Sequence, residues 1–113
     1  MVKKWQVDRN RWSDVGLKSI DVSKFTALKK LYCSGNKLTR LDVSRSKALR
    51  ELNCGGNKLT RLDVSRIMAL QELSCCFNKL TSLDVSNCKK LKVLKTSRGV
   101  KIIGLDENSP IFK

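Results

Sequence analysis

Four aspartates, Asp21, Asp42, Asp63 and Asp84, stand 21 residues apart, and carboxylates repeated in this way could line a calcium site. A simpler reading uses Arg40 and Arg61, which lie two residues before Asp42 and Asp63. On an extended strand such pairs share a face, so each Arg can neutralise its Asp. Cys33, Cys54 and Cys75 keep the same spacing, which suits small core hydrophobes better than a disulfide framework. Adjacent Cys75 and Cys76 point to opposite faces of a strand and cannot chelate one zinc. Cys76 and Cys88 are expected to be solvent-accessible thiols. The chain has no His, so Ser-His-Asp and Cys-His catalysis are impossible. Asp106 and Glu107 are neighbours in sequence rather than an acid and base facing each other across a cleft. Ser34-Gly35-Asn36 and Gly55-Gly56-Asn57 lack the spacing of a phosphate loop. We therefore expect no enzyme, no cofactor and no metal.

What positions these residues is a repeat. Leu31 to Ser44, Leu52 to Ser65 and Leu73 to Ser86 are near copies at a 21-residue period. Such a period marks a solenoid, whose units stack because none can bury its apolar face alone. Each unit has two apolar halves. Leu28, Leu31 and Cys33 form the first, and Leu38, Leu41 and Val43 form the second. Their alternation predicts two short strands per coil and hence two parallel ladders about 4.8 Å apart strand to strand. Asn36, Asn57 and Asn78 are predicted to turn one corner, bonding neighbouring backbone as an Asn ladder. Asp-Val-Ser is predicted to turn the other.

The pattern Leu-x-x-Leu-x-Cys-x-x-Asn-x-Leu at Leu28 to Leu38, Leu49 to Leu59 and Leu70 to Leu80 resembles the leucine-rich repeat. The 21-residue length and nested Leu-x-x-Leu-Asp-Val half resemble the bacterial class called IRREKO. The resemblance implies an α/β-type repeat solenoid, mostly short parallel β-strands and turns, wound as a right-handed coil with degenerate terminal caps. We expect one domain over 1–113, with an N-terminal cap over 1–16, repeats over 17–94 and a C-terminal cap over 95–113. Trp12, one period before Cys33, is expected to plug the core, with Trp5 and Val7 beside it. At the other end Thr96 replaces the rung cysteine and Gly99 stands in place of Asn78. There, a one-residue insertion would align Ile102 and Leu105 with Leu80 and Leu83, and Glu107 with Val85.

The resemblance also implies binding through exposed positions of the first strand, usually to another protein. Carried onto this chain, it nominates Lys30, Tyr32, Asn53, Glu72 and Lys95, with Phe77 and Arg98 toward the turn. Exposed aromatics and Arg are enriched at interface hot spots. For Phe77 there are two readings: it contacts a partner, or it folds over the turn and shields the Asn column.

Charge adds a second line of argument. Twenty-four Lys and Arg against ten acids leave a net charge of +14 on 113 residues. Lys37, Lys58 and Lys79 form one predicted column and Lys24, Arg45 and Arg66 another, while six further cations gather between Lys89 and Lys101. Either duplication preserved these columns or they steer an acidic partner. The expected function is a non-enzymatic protein-interaction module that binds an acidic surface, with Lys37, Lys58 and Lys79 for electrostatic steering. Alternatives are a small intracellular inhibitor or effector that blocks a host enzyme, including a nucleic-acid-handling one, and direct nucleic-acid binding. Membrane binding has little support, since no amphipathic basic helix or lipidation motif occurs. The start of the chain does not read as a secretory signal, so the expected location is the cytoplasm, or outside the cell if a signal was removed.

Overall fold

A computed structural model describes residues 12–105. Six three-residue strands follow one another: β1 (Lys30–Tyr32), β2 (Glu51–Asn53), β3 (Glu72–Ser74), β4 (Ser82–Asp84), β5 (Val93–Lys95) and β6 (Lys101–Ile103). Strands β1, β2, β3 and β5 form one parallel sheet in that order, and β4 and β6 form a second. The register of the first sheet is the sequence period itself, Leu31 opposite Leu52, Leu52 opposite Leu73 and Leu73 opposite Leu94.

The core consists of stacked columns, each one repeat position. Leu31, Leu52, Leu73 and Leu94 form one, and Cys33, Cys54 and Cys75 the next. Leu38, Leu59 and Leu80, then Val22, Val43, Val64 and Val85, close the section. Trp12 lies one rung below Cys33, fully buried, with its ring stacked on Phe25 at 6.2 Å. Trp5, Val7 and Glu107 fall outside the described residues. The side away from the sheet is built from turns, and no helix occurs among the described residues. Two turns in series make it in each coil: Ser46 N–H to Val43 C=O and Leu49 N–H to Ser46 C=O, then the same bonds from Ile67 and Leu70, and from Cys88 and Leu91.

The Asn corner forms as expected, each Asn bonding neighbouring backbone. Asn57 is buried; its Nδ2 donates to the Cys54 carbonyl of its own coil and the Cys33 carbonyl of the preceding one, each at 3.0 Å. Its Oδ1 accepts the Leu38 N–H at 3.0 Å. Asn36 and Asn78 bond in the same way. One amide thus ties two coils together. At the other corner Asp21, Asp42, Asp63 and Asp84 each accept the N–H of the Ser two residues on, at 2.9 Å.

Four expectations are corrected. The second ladder is partial, because no strand forms around Leu41 or Leu62. The Asp turn is not the cause, since Asp84 makes the same bond to Ser86 and still lies in β4; among the described residues the ladder forms only where β4 meets β6 of the last coil. Arg40 and Asp42 both lie on the exposed side flanking buried Leu41 but form no ion pair; the ion pair found among the described residues is Lys30 with Glu51. The Asp42 carboxyl is held below its usual range mainly by its bonds with Ser44, with Arg45 and Arg40 contributing less.

The third correction concerns the last coil, which is shorter than a repeat, not longer. Leu83 pairs with Ile102 and Asp84 with Ile103. Gly104, at φ 97°, then passes so close to Ser86 that a Cβ would lie 2.6 Å from its backbone. Finally, Cys88 is buried at the repeat position of Ser46 and Ile67, its Sγ 3.6 Å from the Val64 carbonyl, so only half-buried Cys76 matches the expected accessible thiols.

Candidate protein-interaction surface

The strands of the first sheet bury their central Leu and turn the flanking residues outward. Parallel register therefore converts sequence period into rows across the sheet. Lys30, Glu51, Glu72 and Val93 make one row; Tyr32, Asn53, Ser74 and Lys95 make the other. Five nominated residues, Lys30, Tyr32, Asn53, Glu72 and Lys95, thus share one face. Between the rows runs a shallow groove of about 130 Å³ lined by Tyr32, Glu51, Asn53, Glu72, Ser74 and Val93. Ligand pockets for cofactor-sized molecules are several-fold larger, so this face suits surface contact.

Glu51 organises the face. Its Oε2 lies 3.2 Å from Lys30 Nζ and its Oε1 accepts the Tyr32 hydroxyl at 3.3 Å. Glu51 and Glu72 stand opposite each other in register, and the closeness of the two carboxyls pushes Glu72 up and holds Glu51 down, with Lys30 and Tyr32 helping to stabilise the Glu51 charge. Lys30 is raised in turn by Glu51. The face is therefore a small connected polar network carrying both signs of charge. Sequence reasoning ranked Glu51 as a mere flanking residue. Its signal was available, since Lys30 and Tyr32 stand 21 and 19 residues before it and parallel stacking brings all three together.

Phe77 and Arg98 lie elsewhere. They continue the corner column of Asp14, Gly35 and Gly56, beyond the strand ends. Asp14, Gly35, Gly56 and Phe77 all take left-handed backbone, at φ 54°, 69°, 67° and 58°. Glycine adopts this region freely and Asp tolerates it, whereas a bulky aromatic there is a steric outlier. Phe77 is also 81% exposed, so it does not fold over the turn to shield the Asn column. Lys37, Lys58 and Lys79 are exposed two residues beyond this corner column.

Residues 26–66 match a family model described as leucine-rich repeats, two copies. A solved structure, the functional domain of InlJ from Listeria monocytogenes, described as including a cysteine ladder, superposes with a TM-score of 0.70 at 32% identity. The match covers 79% of this chain and 23% of that one. This chain is a leucine-rich-repeat protein. It spans about a quarter of the length of InlJ's domain, and no curated protein matches it significantly. Leucine-rich-repeat domains typically serve as non-enzymatic protein-interaction modules. In this leucine-rich-repeat protein the sheet face and the Asn-corner edge are distinct surfaces. The first is a mixed-charge network. The second is basic, with one exposed aromatic ring.

Proposed function

We propose that the chain is a non-enzymatic protein-interaction module whose contact surface is the exposed face of the four-stranded sheet, centred on Tyr32, Asn53 and Glu72. The observation that carries this reading is the outward network of Lys30, Tyr32 and Glu51, with Glu72 beside it in register, on a fully registered sheet. Polar side chains already tied to one another lose little freedom when a partner lands on them. The Lys37, Lys58 and Lys79 column, together with the net charge of +14, favours an acidic partner by steering its approach.

The test is capture from a nuclease-treated lysate with wild type, Tyr32→Ala and Glu72→Lys. A discrete protein retained by wild type and lost with both variants supports the sheet face. Retention unchanged by both places the contact elsewhere. With that partner purified, replacing Lys37, Lys58 and Lys79 by Gln is expected to slow association and flatten its salt dependence, leaving dissociation nearly unchanged. An unaltered salt response removes the column as the steering feature.

A further inference from the structure

The Asn-corner edge holds Phe77 in an unusual way. From Gly35 and Gly56 the corner N–H donates to a backbone carbonyl of the next coil, Gly55 at 2.9 Å and Cys76 at 2.8 Å. From Phe77 it donates instead to the Ser97 hydroxyl at 2.7 Å. The corner is thus clamped on both sides, while the ring projects into solvent, 81% exposed. The two corner residues before it in the stack are glycines, so no side chain from those coils covers the ring's flank.

Cations share this edge with the ring. Lys58 and Lys79 are exposed, and their N–H groups bond back to Leu38 and Leu59 at 2.8 Å, which fixes their stacking one coil apart, about 4.8 Å. Arg98 follows Phe77 by one period and is also exposed. No acid occurs in the corner segments 33–39, 54–60, 75–81 and 96–105; the acid of this column, Asp14, sits against Gly35, three coils before Phe77.

We infer that this edge binds single-stranded nucleic acid, with a base stacked on Phe77 and phosphates against Lys58, Lys79 and Arg98. An aromatic platform beside a track of cations is the combination by which proteins hold single strands without reading sequence. An acidic protein surface would satisfy the lysines but not the ring. Protein hot spots sit in well-packed pockets ringed by contacts that exclude water, whereas the other exposed large apolar residues, Val15, Met68 and Ile103, lie off this stretch of the edge and offer this ring no such rim.

The test compares a fluorescent oligothymidylate with an abasic deoxyribose-phosphate strand of equal length and charge, by anisotropy across a salt series. Wild type is expected to prefer the base-bearing strand by roughly 5- to 150-fold, the range for one stacked base at tenfold per 1.4 kcal/mol. Phe77→Ala should abolish that preference without weakening abasic binding, and Phe77→Trp should restore it. Thermal melts verify that both variants fold. The double change Lys58→Gln and Lys79→Gln should weaken both strands and lower the log-log salt slope by about 1.4, at about 0.7 per contact on single strands. Equal affinity for the two strands reduces the edge to a non-specific polyanion binder and overturns the inference. So does a preference that survives Phe77→Ala, and so does failure of either strand to bind, which would leave the edge to an acidic protein.

Discussion

Replacing Phe77 by Gly and by Ala separates backbone strain from side-chain packing. At φ 58° a non-glycine residue pays roughly 1–2 kcal/mol for the left-handed region. Gly relieves this, at an entropic loss of about 0.5–1 kcal/mol relative to Ala. Ala keeps the strain. The Gly variant should therefore be more stable than the Ala variant by on the order of 0.5–1 kcal/mol, the reverse of their order at an ordinary position. The ring contributes little either way. A fully buried Phe is worth up to about 3 kcal/mol, and this one is 81% exposed, so wild type should fall near the Ala variant and below the Gly variant. The assay is urea unfolding followed by tryptophan fluorescence, which Trp12 reports from the core, with the slope required to stay constant across the three proteins. An Ala variant as stable as the Gly variant, or a Gly variant clearly weaker than wild type, would show that Phe77 is not strained or that its ring packs, and the reasoning would fail.

Two further outcomes follow from the core and the corner. Asn57→Ala orphans the Leu38 N–H, while the Cys33 and Cys54 carbonyls keep Asn36 and Asn78 as donors, so at roughly 1–3 kcal/mol for one unsatisfied buried group the variant should lose about that much, read as a drop in the urea midpoint. Among the five thiols, burial pushes Cys33 up to about 12 and Cys75 up to about 11, and raises Cys54 and Cys88 as well, so iodoacetamide at pH 8 should label half-buried Cys76 first; mass spectrometry showing equal early labelling of Cys54 would contradict the stacked core.

The first sheet was readable residue by residue because parallel stacking turns period into contact. Once Leu31, Leu52, Leu73 and Leu94 share a column, the Cys column and the Asn column follow at fixed offsets, and so does Trp12 beneath Cys33. The second ladder was not readable, since Leu-x-x-Leu-x-Val carries the same alternation as Leu-x-x-Leu-x-Cys. The Asp turn does not make the difference, since Asp84 bonds Ser86 as Asp42 and Asp63 bond Ser44 and Ser65 and yet lies in β4; among the described residues the ladder forms only against the shortened last coil. Alternation says which side is buried. It does not say whether the backbone groups between are spent on a neighbouring strand or on a turn.

The candidate surface shows the same limit from the other side. Period alone placed Lys30, Tyr32, Asn53, Glu72 and Lys95 on one face, but it could not rank Glu51 above its neighbours, because that depends on rotamers that let Lys30 and Tyr32 reach one carboxylate. Phe77 illustrates a stronger kind of information. Among near-identical coils, duplication explains every residue that repeats, and only the exceptions need a separate cause. Gly35 and Gly56 show what the corner backbone favours; Phe77 stands against that preference with its ring in water. Stability gives no reason for that residue at that position, and the proposed base stack supplies one. The Gly variant then makes one joint demand on both arguments: it should gain stability and lose the preference for a base-bearing strand, and a protein that gained the first while keeping the second would show that the strained ring serves neither fold nor ligand.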